Sequence, residues 1–391
     1  VFGEENMLKN DAPHSGLHSP SARVAIPQLD SIRVFAMLGI FSHHLRKTVI
    51  ATPQDTLQRL LDPVFLAATG SIVLFNIMSG FLLARPHLGP DHRPFEGYRV
   101  FLQKRFLRIV PPYYLALVLF TLVNMVHFGV PLLPAFNMLM EHLLFVNSLD
   151  YSNMFSNFAH FWYMGLLVQF YLLFPLILRF FLWMRPARAA LTIIALCWGP
   201  WGIVAWFCPQ SQQSYSNIWA NLMHFNLPGR LPEFAVGMWL ASLWDPSVES
   251  WRRKIFDRPF SFYIGALALF LVAGTPFASS MDLLCDHIYH VALSVLLFLL
   301  LFLWKPAAMA GRSTFIKHCS TQTYMIYIVH VPLASYLGLM QSKVTHTVSN
   351  FLFLGAILLP LTYFVAVVLN RLSDWVVNRA LVRRNREAPG K

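Results

Sequence analysis

The sequence predicts an all-α protein that crosses a membrane about ten times and keeps both termini in the cytoplasm. Three observations carry that reading. Of 391 residues, 56% are hydrophobic and only 12% are Asp, Glu, Lys or Arg, about half the charged share of a soluble domain. Apolar runs of the roughly 20 residues a helix needs to cross a bilayer recur along the chain, while the alternating pattern of a barrel strand is absent. Finally, the basic residues are sorted. When the connecting segments are assigned alternately to two sides, only Arg46, Lys47, Arg59, Arg230 and Lys343 of the 30 Lys and Arg fall on the second side. Such a bias marks the first side as cytoplasmic.

Residues 1–27 are rich in Pro, Ser and His, which predicts a disordered cytoplasmic tail and not a cleaved signal peptide. The transmembrane domain is expected over 28–371. Its spans lie near 32–50, 63–84, 109–129, 160–183, 189–208, 229–244, 260–279, 285–304, 322–341 and 350–370. The stretch 131–148 is shorter, opens with Pro131 and Pro134 and carries Glu141 and His142, so it reads as an interfacial or re-entrant helix. Residues 372–391 form a basic cytoplasmic tail too short for a second folded domain. The net charge of +12 follows from topology, so no nucleic-acid partner is expected. Cys197, Cys208, Cys285 and Cys319 give neither a zinc pattern nor a disulfide framework.

Ionisable side chains inside a bilayer are costly and therefore candidates for function. In the first span Arg33 and His44 are eleven residues apart. That is close to three helical turns, which puts both on one face about 16 Å apart, with His43 roughly 80° away. Asp30 is one turn before Arg33. The spacing is equally compatible with His43 and His44 lying in the outer interface beside Arg46 and Lys47. Arg105 and Arg108 share a face at the entry to the third span, just before Pro111 and Pro112. Topology alone accounts for them, yet they border the same compartment as Arg33. The planar fork of arginine suits phosphate, so three at one mouth suit a polyphosphorylated ligand. Ser79-Gly80 lies near the same end of the second span. Arg230 and Glu233 are three apart at the start of the sixth. His287-x2-His290 has a metal-like spacing without the rest of a zinc signature, and no metal site is expected. His330 lies within the ninth span. His142, His160 and His224 read as ordinary structural histidines.

These stretches together resemble the acyltransferase 3 family of membrane O-acyltransferases, from about residue 29 to 371. The matching segments are Leu29-Asp30-x-x-Arg33 with Arg33-x10-His44, Ser79-Gly80-Phe81-Leu82, and Lys104-Arg105-Phe106-Leu107-Arg108-Ile109. Further ones are Gln169-Phe170-Tyr171-Leu172-Leu173-Phe174-Pro175, Arg230-Leu231-Pro232-Glu233-Phe234 with Gly237, and Tyr327-Ile328-Val329-His330-Val331-Pro332. The resemblance implies transfer of an acyl group, acetyl on family frequency, from cytoplasmic acyl-CoA to a hydroxyl, usually on a sugar of a cell-envelope glycan. It implies that His44 is catalytic, that Arg33, Arg105, Arg108 and Ser79 serve the donor, and that no cofactor is needed beyond this co-substrate. Glu233, Arg230, His330 and Gln169 become candidates for the acceptor side or for structure. The bacterial inner membrane is the implied location. Acidic residues that family members often carry before Gln-Phe-Tyr are replaced here by Leu166-Leu167-Val168. The esterase-like domain of some relatives does not follow the last span, so the chain is expected to act alone or with a separate extracytoplasmic partner. A transporter or flippase of a glycan or lipid-linked intermediate is the rival reading, since many spans and intramembrane charges fit it too. Against it, neither repeated halves nor broken midplane helices are evident.

Overall fold

The computed structural model describes residues 26–49, 56–90, 92–149, 158–207, 218–244, 258–278, 283–337 and 348–387. Among the described residues the chain is helical, with no strand. In order, the helices are α1 (Pro27–Val49), α2 (Thr56–Ala67), α3 (Ser71–Leu88), α4 (Tyr98–His127), α5 (Leu132–Leu143), α6 (Trp162–Trp183) and α7 (Pro186–Phe207). Then come α8 (Ile218–Phe225), α9 (Leu227–Ser242), α10 (Arg258–Ala278), α11 (Leu283–Leu303), α12 (Lys305–Arg312), α13 (Thr314–Tyr336) and α14 (Val348–Glu387). A 3-10 turn, Ala68–Gly70, joins α2 to α3. The expected N-terminal tail lies almost wholly outside the described residues. The expected C-terminal tail is, as far as Glu387, a continuation of α14.

Where they are described, all ten apolar ranges fall on helices, and among the described residues six stretches are long and apolar enough to cross a membrane: Arg59–Leu88, Tyr98–His127, Trp162–Trp183, Pro186–Phe207, Leu284–Leu303 and Ser349–Arg379. Three of the other four differ for physical reasons. Helix α1 carries Asp30, Arg33, Arg46 and Lys47. Helix α9 has 16 residues; on α10, 21 residues with no charge after Arg258, the described apolar stretch is Gly265–Thr275. Helix α13 mixes Gln, Thr, Ser and His with its apolar residues, yet every residue from Met325 to Pro332 is buried. A helix enclosed by other helices faces protein on all sides, so it need not be apolar all round.

Hydrogen bonds fix the relative directions. Ser320 Oγ donates to Asp30 Oδ1 at 2.7 Å near the start of both α1 and α13, while His44 meets His330 toward their ends. The two helices are therefore parallel. Helix α4 runs the same way: the Tyr324 hydroxyl donates to Ile109 O at 2.6 Å and that of Tyr336 to Phe120 O at 3.0 Å. Helices α6 and α14 run oppositely. His160, just before α6, sits beside Ile328, and Asn370 Nδ2 donates to Gln322 Oε1 at 2.9 Å.

Helices α3 and α9 touch backbone to backbone. A Cβ on Gly80 would come within 2.1 Å of Phe234 O, and one on Gly237 within 1.9 Å of Ile77 O, so only glycine permits this approach. The stretch after Pro131 turns back along α4: Tyr113 donates to His142 O at 3.3 Å and Tyr114 to Leu143 O at 2.6 Å. The return ends at Phe145 with φ of 59°, a backbone that bulky residues rarely adopt. Its ring stacks on Tyr113 and Tyr114 at 5.4 and 5.9 Å.

Candidate functional site

The register of α1 places two groups against α13. Near its start, Arg33 Nη1 donates to Asp30 Oδ1 at 3.4 Å and to Ser320 Oγ at 3.5 Å. Three turns on, His44 Nδ1 lies 3.1 Å from His330 Nε2. The shared face expected from the eleven-residue spacing is thus the face that packs on α13.

Arg33, Arg105, Arg108 and Ser79 line one cavity of about 850 Å³, near the upper end of the range for small-molecule sites. Arg108 lies close enough to act electrostatically on Arg33, and Tyr171 faces Arg33, Arg105 and Arg108 together. Arg105 also sits 5.5 Å from the Phe101 ring centroid, where the aromatic face favours a cation. The hydroxyls of Ser79 and Tyr163 are hydrogen-bonded. The cavity wall holds three further cations, Arg85, Arg93 and Lys104, against the carboxylates of Glu96 and Asp374. Lys104 and Glu96 pair with each other. A concave site with this excess of positive charge attracts and concentrates anions. The sequence offers Tyr171 only as part of the Gln169-Phe170-Tyr171 motif, without a role, and does not single out Arg85 or Arg93, because nothing local separates them from loop charge.

The cavity extends to Ile40 and Tyr327, one turn short of His44 and His330. Beyond it stand three imidazoles from three elements. Ring centroids are 4.9 Å apart for His44 and His330, 5.3 Å for His160 and His330, and 6.4 Å for His44 and His160. His43 is 5.3 Å from His44. His44 and His330 also line a separate small crevice with Phe41, Ala334 and Leu358.

The sequence reads His160 as an ordinary structural histidine, and Pro332 explains how it is held. Proline has no N–H, so the carbonyl four residues earlier, Ile328 O, loses its helical donor. His160 Nε2 donates to that oxygen at 3.1 Å, and the Tyr327 hydroxyl donates to His160 O. His330, in turn, donates Nδ1–H to Tyr327 O at 2.7 Å and Ile326 O at 3.1 Å. The segment Tyr327–Pro332 therefore fixes both rings.

Glu233, Arg230 and Gln169 lie elsewhere. Glu233 is wholly buried and Arg230 is 3% exposed. Glu233 accepts from Arg230 Nη1 at 2.8 Å and from Asn76 Nδ2 at 2.5 Å, and His287 Nε2 is 2.8 Å away. Arg230 Nε donates to His224 O. Of the two roles left open for Glu233, the geometry displays the pair with Arg230. Gln169 bridges the turn between α8 and α9, donating to Asn226 Oδ1 at 2.8 Å and accepting from Leu227 N at 2.9 Å. None of the three lines the cationic cavity. His290 is engaged by Thr69 Oγ1 at 2.7 Å and lies 3.4 Å from Asp286. Among the described residues, no group of three or more His, Cys, Asp or Glu is placed to hold a metal ion.

Comparison with curated proteins and with solved structures gave no match. A family model described as an acyltransferase domain matches residues 26–371, nearly the same span as the resemblance read from the motifs. With six helical stretches among the described residues long and apolar enough to cross a membrane, that match makes the chain an integral, multi-pass membrane acyltransferase belonging to the acyltransferase 3 family.

Proposed function

We propose that the protein is an O-acyltransferase of the bacterial inner membrane that moves an acyl group, acetyl by preference, from cytoplasmic acyl-CoA to a sugar hydroxyl of a cell-surface polysaccharide or glycoconjugate. One observation carries this reading: a single helix holds Arg33 in the wall of a cationic cavity and His44 one turn beyond that cavity. The arrangement suits a donor with a polyphosphorylated head and a reactive group at the end of a long arm.

The phosphates of acyl-CoA dock among Arg33, Arg105 and Arg108, entering from the cytoplasmic side that the loop charges define. Ser79 offers a hydroxyl to the arm. The thioester carbonyl reaches the histidine cluster, where His44 accepts the proton of the acceptor hydroxyl. The hydroxyl oxygen forms a bond to the carbonyl carbon and the C–S bond breaks. The imidazolium then returns its proton to the departing thiolate, so the products are an ester and CoA thiol. Neither a metal nor a further cofactor takes part.

The test is transfer of labelled acetyl from acetyl-CoA to envelope glycan in membranes holding equal amounts of each variant. His44→Ala is expected to lose about 10²- to 10⁴-fold in rate, the usual share of general base catalysis. Wild-type transfer by that variant would sink the assignment. Mass spectrometry of envelope glycans from a deletion strain and its parent identifies the acceptor.

A further inference from the structure

We infer that His330 is a positioning residue, holding His44 in the one tautomer able to act as base through Nε2. The inference rests on the reading of His44 as base and assigns the group that orients it.

The argument starts from groups whose role is not negotiable. Backbone carbonyls only accept hydrogen bonds. His330 Nδ1 faces two of them, Tyr327 O at 2.7 Å and Ile326 O at 3.1 Å, so it carries the proton. In the neutral ring the other nitrogen, Nε2, is then an acceptor. That nitrogen faces His44 Nδ1 at 3.1 Å, and His44 Nδ1 also faces Ile40 O at 3.0 Å. Two acceptors meet one nitrogen, so the proton between the imidazoles resides on His44 Nδ1. Its Nε2 is left as the basic site. The reverse arrangement would turn a bare Nδ1 of His330 toward two carbonyl oxygens, lone pair against lone pair.

The consequence for the reaction is specific. When His44 Nε2 takes the hydroxyl proton, positive charge spreads over a ring whose Nδ1–H already points at the lone pair of His330. The proton on Nδ1 stays there, and the one gained at Nε2 goes on to the thiolate. His330 is 2% exposed and its ring is seated by its own helix, so it meets the imidazolium without reorganising. A neutral imidazole thus stands where a carboxylate or carbonyl often orients a histidine. His330 touches neither donor nor acceptor in this account.

The test separates orientation from mere packing. His330→Ala is expected to lower kcat by about 10- to 100-fold, the usual cost of removing a partner that orients a histidine, with KM for acetyl-CoA within about twofold. His330→Gln, which can present a carbonyl oxygen near the lost Nε2, is expected to recover most of the lost kcat. In ¹⁵N-histidine spectra of the purified protein, identified by their loss in His44→Asn, the His44 ring should show a protonated Nδ1 and an unprotonated Nε2. The Nδ1–H fraction should fall in His330→Ala and return in His330→Gln. A wild-type spectrum with unprotonated Nδ1, or wild-type kcat in a well-folded His330→Ala, overturns the inference. Failure of the underlying reading looks different: His44→Ala would stay active while the spectrum still reported the His44–His330 hydrogen bond. Size-exclusion profiles in detergent check that each variant folds.

Discussion

Two polar clusters lie within this helical protein, and they are built on opposite plans. Around Glu233, one carboxylate meets Arg230, Asn76 and His287 at 2.5–2.8 Å, and the group is sealed from solvent. Around Arg33, cations outnumber carboxylates and line a large cavity. The first cluster sets its carboxylate against the guanidinium of Arg230. The second has charge to spare and room for whatever supplies the opposite sign. A buried, balanced pair is a poor place for a ligand, whereas an open, unbalanced group is costly to keep unless something binds there. Both sets of residues match family motifs, so sequence alone ranks them together and geometry pulls them apart.

The contrast breaks most sharply at Glu233. Glu233→Ala leaves Arg230 buried beside Asn76 without its carboxylate. It is expected to cost about 3–5 kcal/mol, read as a fall in denaturation midpoint in detergent, while the double change Arg230→Met with Glu233→Leu should cost far less. A stable, acyl-CoA-binding-deficient Glu233→Ala would instead place this carboxylate in the donor site. On the other side, Arg108→Ala is expected to leave stability unaltered and to raise KM for acetyl-CoA about tenfold or more, since a charge-assisted hydrogen bond is worth about 1.5–3 kcal/mol. An unchanged KM would remove Arg108 from the site. The smallest effect is expected on the outer surface. Leu196 on α7 is 70% exposed, and Leu196→Ala should shift stability by no more than about 0.5 kcal/mol.

Much of this organisation is legible in the sequence. Where they are described, the ten apolar ranges are helical, the second being split by the 3-10 turn between α2 and α3, and the eleven-residue spacing in α1 does put Arg33 and His44 on one face. What is not legible is which helices meet lipid. Hydropathy selects Pro186–Phe207, only 17% buried across its most apolar window, but not α13, whose central residues are all enclosed. The two helices that pair Arg33 and His44 with Ser320 and His330, α1 and α13, are not selected by hydropathy, because their polar side chains face one another. The place of His160 beside His44 and His330 is not legible for a related reason. Pro332 announces that Ile328 O needs an outside donor, but the donor lies 168 residues away in sequence, and no local pattern names it. Similarly, Glu233 has a visible helical partner in Arg230, while Asn76 and His287 come from other helices and appear only with the fold.

One consequence of α1 reaches beyond individual contacts. Arg33 and His44 are joined by an unbroken helix, so the interval between anion anchor and base is set by covalent geometry, about 1.5 Å for each residue. The protein carries a built-in ruler. Side-chain changes along it can tune packing, but adding or removing a single residue between Arg33 and His44 turns one against the other by about 100°. The chemical partner is thereby chosen by length as well as by charge: a molecule with the right head but a shorter arm would dock and never reach the imidazole.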